Sequence, residues 1–513
     1  MFKKTKLNAN DLGTLFFLAA LIFGAWFRAL PPYLAGFPIN DGGLFYKMIE
    51  AVRENHYRLP ETVHYNGLNI PFAYPPFAFY LAGGVADLFG KPLMDVVLWF
   101  PAIVLIAIIP AVFYFANAIL KSRLQAGLAT LLYALLPRSI TWLIMGGGVT
   151  RGLGQLFLIL AVANVYLLFA EKQKKRLLSA MIFSALVCAT HPEAALHTVG
   201  IALVLWLFYG RNKDGMINAL IVALGTALLT SIWWLPVLAR FGLDPYLSAA
   251  QTGLNGLSYS IVLFAPYSGE PFMTIIALLA ILGFAAQVAK GEYLLPALLA
   301  VPFVVEPRSA ANVSIIPMAL LASVALTDLL LPALARIESA ARNIPFKNVL
   351  QSRSEKLLFF YLLFCVLIGM HFFASGLNEK RVSPEHRQAF AWIQQNAPAD
   401  GKFLIITGKT DLFADPINEW FPVLTNRVSL TTIQGYEWVG QGAFAEKVPV
   451  MQSLQRCAAL TCIESAAQEA GVDYDYIYVA NANANLIYDL QSKGTYSSAY
   501  EKDGIVIFRR EKR

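Results

Sequence analysis

The chain has 513 residues, 57% of them hydrophobic and only 14% charged, with a mean hydropathy of +0.55. A soluble protein cannot hide that much apolar surface, so composition excludes a soluble globular enzyme and leaves a polytopic membrane protein. The formal charge of +7 does not point to nucleic acid, because the basic residues gather in short loops between apolar spans, where the positive-inside rule accounts for them.

Met1-Phe-Lys-Lys-Thr-Lys6 precedes an apolar run over about 12–30 that is long enough to cross a bilayer and too long for a cleavable signal peptide. The N-terminus is therefore expected in the cytoplasm. Further apolar segments lie at 73–90, 94–119, 124–145, 152–170, 177–190, 194–209, 216–239, 271–289, 292–305, 310–333 and 357–375. They predict about 11–13 spans in a membrane domain covering residues 1–375. Lys172-Gln-Lys-Lys-Arg176, Arg211-Asn-Lys213 and the basic 336–356 stretch are assigned to the cytoplasm. If 73–90 crosses fully, this alternation fails at Lys121-Ser-Arg123. If that segment is partial or re-entrant, Asp41, Thr150-Arg151, His191-Pro-Glu193 and Glu306-Pro-Arg308 all face outward together. No internal repeat is evident, which counts against a secondary transporter.

The segment after the first span, 31–72, is too long for a simple connector. It opens with Asn40-Asp-Gly-Gly-Leu-Phe-Tyr46, continues with a helical stretch through Lys47, Glu50 and Arg53, and ends at Tyr74-Pro-Pro-Phe77, whose prolines delay the next helix. Asp41 reads either as a membrane-proximal carboxylate able to meet a lipid head group or as a turn residue before two glycines. Lys47, Glu50 and Arg53 read as a solvated face, and His56 and His64 lack the partners a metal site needs.

Gly146-Gly-Gly-Val-Thr-Arg151 opens a span after a glycine cluster, but no strand precedes it and no Lys-Ser/Thr follows, so it is not a nucleotide-binding loop. Arg151 and Arg308 are candidate phosphate ligands. The alternative for each is interfacial snorkelling or, for Arg308, an ion pair with Glu306. His191 and Glu193 sit at a proline break, either as part of a site wall or as a simple turn.

From 376 to 513 charged residues become common and strands alternate with helices: Pro384–Asn396, a strand at Phe403–Thr407, Pro416–Leu424, a strand at Val428–Thr432, two helices, and strands at Tyr474–Ala480 and Gly504–Arg509. This predicts a small α/β domain outside the cytoplasm. Trp420 and Trp438, in Asn418-Glu-Trp-Phe-Pro422 and Gln434-Gly-Tyr-Glu-Trp438, read as packing residues with sugar stacking as the alternative. For Cys457 and Cys462, a disulfide and two free thiols both stay open.

An acid just after the first span, a long following loop and the Tyr74-Pro-Pro-Phe77 entry together resemble the GT-C superfamily of integral-membrane glycosyltransferases. Within it the chain is similar to glycosyltransferase family 39, the group of protein O-mannosyltransferases and the lipid A aminoarabinose transferase. The resemblance is best over the first ~100 residues. It implies inverting transfer of a sugar from a polyprenyl-phosphate donor to a protein, lipid or glycan acceptor at the outer membrane face, with Asp41 as general base. Arg151, Arg308, Tyr74, His191, Glu193 and Glu306 are then the candidate substrate- and phosphate-binding residues. No Asp-x-Asp stands where some family members carry a second acidic motif, which leaves Mg²⁺ or Mn²⁺ dependence open. The rival readings are a lipid or polysaccharide transporter and a non-catalytic assembly protein on the same fold.

Overall fold

The computed structural model describes residues 8–252, 268–342, 350–440, 442–480 and 484–511. The expectations for Met1–Lys6 and for the middle of the 336–356 stretch fall outside these residues. The first helix, Ala9–Ala35, starts at a reciprocal cap in which Asp11 N–H donates to Asn8 and Asn8 N–H donates to Asp11. It stops at Gly36, which adopts the left-handed conformation that ends helices.

The protein is a polytopic helical membrane protein. Among the described residues, seven helices are long and apolar enough to cross a bilayer, or nine if each of two bent pairs is one span. The difference from the dozen apolar segments has identifiable causes. Phe77–Phe89 has 13 residues, about 20 Å of helix against a hydrocarbon thickness of about 30 Å, so the 73–90 segment does not cross on its own. The 124–145 segment is not one span: Arg123–Ala134 ends before Pro137 and the chain turns by 79° into Pro137–Ile144. Ile275–Ala289 and Leu294–Val305 meet at 118°.

The break at Ala134 is stabilised by a residue buried within the first helix. Arg28, fully buried, donates through Nη1 to the carbonyls of Gly24 and Ala134 and through Nη2 to Ser139 Oγ, at 3.0–3.1 Å. A helix end in a dry interior leaves carbonyls without partners, and this guanidinium supplies donors to one of them.

Between the first helix and Phe77–Phe89 lie the helix Gly43–Glu54 and an antiparallel hairpin, β1 (Thr62–Tyr65) and β2 (Leu68–Pro71). Asn66 and Gly67 join the strands with φ of 53° and 74°, the two-residue turn that Asn-Gly favours because both positions need positive φ.

The C-terminal region forms a five-stranded sheet of order β4-β3-β5-β7-β6, with β3 (Lys402–Ile406), β4 (Val428–Ser429), β5 (Tyr476–Val479), β6 (Tyr496–Lys502) and β7 (Ile505–Arg510). β3 is parallel to β4 and β5, and β7 is antiparallel to β5 and β6. The strand expected over Val428–Thr432 is only two residues long, because Thr431 and Thr432 turn their hydroxyls to the buried polar groups of Asn418 instead. β6 is additional to the expected pattern; its alternation is mostly polar, as suits an edge strand.

Period-two alternation sends Phe403, Ile405, Tyr476, Tyr478 and Ile507 to one face and Leu404, Ile406, Ile477, Val479 and Phe508 to the other. The first face does not close over itself. It shares one apolar cluster with Phe37, Leu44, Met48, Tyr65, Ile70 and Phe72 of the 37–72 segment, so the sheet domain and the long loop pack as one body. Cys457 and Cys462 are disulfide-bonded.

Candidate functional site

Asp41 lies between the first helix and Gly43–Glu54, and its backbone is clamped from two sides. On one side the glycine cluster approaches: Gly146 N–H donates to Ile39 O at 3.0 Å, and a Cβ at Gly146 would lie 1.9 Å from Asp41 O. Gly42 has φ 127°, and a Cβ there would lie 2.8 Å from Gly146 Cα. Only glycine permits both chains to approach this closely. On the other side stands the C-terminal domain. Gly42 N–H donates to Glu419 Oε1 at 2.8 Å, Trp420 Nε1–H donates to Asn40 O at 2.9 Å, and Tyr65 O–H donates to Glu419 O at 2.6 Å.

The Asp41 carboxylate points at the start of the Gly148–Phe169 helix. Arg151 Nη2 meets Oδ2 at 2.5 Å, and Gly147 N–H donates to Oδ1 at 3.1 Å. Arg151 Nη1 donates to Trp142 O at 3.2 Å, and the guanidinium lies 5.6 Å from the Trp142 ring. The side chains are 13% exposed for Asp41 and 24% for Arg151, so the pair is sheltered yet reachable by a ligand. A charge-assisted contact of this length in a partly dry setting is strong, and it orients the guanidinium without consuming all its donors.

The other expected residues gather at the same end of the helices. Tyr74 O–H and Thr150 Oγ1 are 3.2 Å apart, and the Tyr74 ring packs edge-on against His191 and Trp438, at 6.4 and 5.6 Å. Burial pushes the Tyr74 phenol well above its ordinary value, so it stays a neutral donor. His191 Nδ1 accepts from Ala194 N–H at 3.2 Å, which caps the Pro192–Tyr209 helix and explains the proline break in local terms.

Arg308 lies 3.9 Å from Glu193 and 5.6 Å from the Phe413 ring. Its side chain is not paired with Glu306, correcting the alternative reading for that residue. Glu306 caps the following helix by accepting from the backbone N–H groups of Arg308 and Ser309, both at 2.9 Å, and it faces His197 Nε2 at 3.5 Å. With its oxygens so engaged, Glu306 acts on helix geometry rather than pointing a free carboxylate at a ligand.

Glu419 and Glu437, present in the sequence as the carboxylates beside Trp420 and Trp438, were not among the expected site residues. Glu419 is nearly fully buried, and its carboxyl is held well above the usual carboxylate range by burial first and by the Asp41 charge second. Glu437 is likewise raised by burial, with Gly435 N–H donating to it at 2.7 Å. Trp142, at the broken span, became legible only once Arg151 was placed beside it. Of the two tryptophans read as packing residues, Trp420 is wholly buried and Trp438 nearly so.

Metal binding is a question of donors. Among the described residues no three His, Cys, Asp or Glu side chains converge to hold an ion. Both Asp41 oxygens are already engaged by Arg151 and Gly147.

Residues 73–290 match the family described as 6-pyruvoyl-tetrahydropterin synthase related domain, membrane protein. No curated protein matches the chain. Among solved structures the chain is similar to ArnT from Cupriavidus metallidurans bound to undecaprenyl phosphate, at 16% identity and TM-score 0.51, covering 96% of this chain and 97% of that one. It is similar to the Archaeoglobus fulgidus oligosaccharyltransferase in its apo form, at 14% identity and TM-score 0.52, covering 91% and 69%. It also matches the arabinofuranosyltransferase AftD from Mycobacteria at 15% identity and TM-score 0.54, covering 100% of this chain and 40% of that one. The chain therefore has the fold of the GT-C membrane glycosyltransferases.

Proposed function

We propose that this protein transfers a sugar from a polyprenyl-phosphate donor to an acceptor at the outer face of the membrane, with inversion at the anomeric carbon. The observation that carries the reading is the Asp41–Arg151 pair: a carboxylate suited to take a proton stands beside a cation suited to hold a phosphate. Asp41 accepts the proton of the acceptor O–H (or N–H) as that atom attacks the anomeric carbon. The bond from that carbon to the phosphate oxygen breaks, and its electron pair stays on the phosphate. Charge thus grows on the leaving group, and fixed guanidinium donors stabilise it. Arg151 and Arg308 serve there, with Tyr74 contributing a neutral O–H; Glu193 holds Arg308, while His191 and Glu306 shape the wall by capping two helices. Transfer is expected to survive chelators, given the donor set around Asp41.

Placing residues 376–513 outside the cytoplasm, as a domain distinct from a catalytic 1–375, is part of the same proposal. It is supported by the Cys457–Cys462 bond, which persists in oxidising compartments. The transporter reading requires ionisable groups along a central path, whereas the groups described here collect at one end of the helices. The test is transfer of radiolabelled sugar from polyprenyl phosphate in membranes containing the protein. Asp41→Asn should insert normally and lose about 10²-fold or more in transfer, the usual scale of general-base loss. Transfer by the variant at the wild-type rate would remove the mechanism.

A further inference from the structure

Gly43–Glu54 begins at Gly42, which has no side chain to cap the helix. The acceptor for its N–H comes from about 380 residues further along the chain, from Glu419 of the C-terminal domain. This contact is built rather than incidental. The Glu419 carbonyl receives Tyr65 O–H at 2.6 Å, the preceding Asn418 carbonyl receives Thr432 O–H at 2.6 Å, and the Asn418 side chain joins Asp415 and Thr431 at 2.7 Å each. A Cβ at Gly43 would lie 2.6 Å from Glu419 O, so the two backbones touch. Beside Glu419, Trp420 holds the Asn40 carbonyl. The peptides on both sides of Asp41 are therefore fixed by consecutive residues of one helix in the other domain.

We propose that Glu419 is a positioning residue for Asp41: by holding the Gly42 peptide it fixes the carboxylate of the proposed base against Arg151, so that the site is complete only with the C-terminal domain docked. The inference rests on the reading of Asp41 as base. A plain helix cap would be best served by an ionised carboxylate, since helix N-termini favour negative charge. Glu419 stands in the opposite situation, because burial and the nearby Asp41 charge both favour its neutral form. The charged and titratable groups around it are Asp41 on the loop, Arg151 on the Gly148–Phe169 helix and Tyr65 on β1, with Glu437 beyond Tyr65. Ionising Glu419 places a second negative charge beside Asp41 and competes for Arg151, which loosens the arrangement.

The experiment compares Glu419→Ala and Glu419→Gln in the full-length protein, reading sugar transfer against pH and amide hydrogen exchange over residues 39–46. Ala removes the acceptor for Gly42 N–H, and transfer is expected to fall about tenfold or more in kcat with little change in KM for the donor, as for a displaced catalytic group. Gln keeps a neutral acceptor and should restore most of that loss, while removing the alkaline fall that ionisation of Glu419 imposes on the wild-type profile. Exchange at 39–46 should speed up in Glu419→Ala and not in Glu419→Gln. If wild-type protein transfers no sugar, the proposed function fails, and the exchange comparison still decides the positioning role. Exchange in the Ala variant equal to wild type, or a Gln variant as impaired as Ala with an unchanged pH profile, would overturn it.

Discussion

Asp41 illustrates how one acid can be read as a turn residue from its neighbours and as a functional group from its tertiary partners. Two glycines follow it in sequence, but the glycines that matter equally are Gly146 and Gly147, over a hundred residues away, which admit its backbone and donate to its carboxylate. Arg151 is the second half of that arrangement. Arg151→Lys keeps the charge but loses the planar fork that now spans Asp41 Oδ2 and Trp142 O. Transfer by Arg151→Lys is expected to fall by about tenfold or more, the scale of losing a charge-assisted donor to a developing anion. Wild-type turnover and carrier binding in that variant would make the arginine merely interfacial. Glu419 carries a prediction in stability as well. Its folded pKa lies above the unfolded value, so it favours the native state fully at pH below about 4.3, and that contribution is lost as pH rises through the folded value. Thermal unfolding of Glu419→Gln should therefore lose its relative disadvantage as pH rises from 5 to 9, and parallel curves for the two proteins would contradict the assignment.

At the scale of elements, the local signals that govern helix ends and turns account for much of what is seen. Asn8 with Asp11, Gly36, and Pro384 after Ser383 all stand where cap chemistry requires them. The Asn66-Gly67 turn between β1 and β2 carries an equally clear local signature, one not used in predicting the elements of this loop. Its tip is doubly bonded to the other domain: Asn66 Nδ2 donates to Ser429 O at 2.8 Å, and Ser429 N–H donates to Asn66 Oδ1 at 2.7 Å. Replacing Asn66 with Ala strips both bonds and strains a positive-φ position. A loss of about 1–3 kcal/mol is expected in denaturant unfolding, from the buried Ser429 groups left without partners. The broken 123–144 segment was the least legible element, since its hydropathy is continuous and only Pro137 marks the turn. The broken end is held by Arg28, from the first apolar span, which donates to Ala134 O and Ser139 Oγ.

For the molecule as a whole, the central feature is the apolar cluster shared between the 37–72 segment and one face of the C-terminal sheet. Both must then lie on the same side of the membrane, so topology and site assembly stand or fall together. Reporter fusions after Asn378 are expected to read outside the cytoplasm, and a cytoplasmic readout would overturn the shared outer face. Composition alone determined that the chain is a polytopic membrane protein, because no soluble fold can cover that fraction of apolar surface. Periodicity and cap residues determined most helices and the strands β3, β5 and β7, because those signals act over a few residues. The placement of Asp41 against Arg151, the capping roles of His191 and Glu306, and the arrival of Glu419 behind the loop were decided only in three dimensions. Each depends on contacts between residues about a hundred or more apart, or on which of several local partners wins once burial sets the cost of leaving a polar group unpaired.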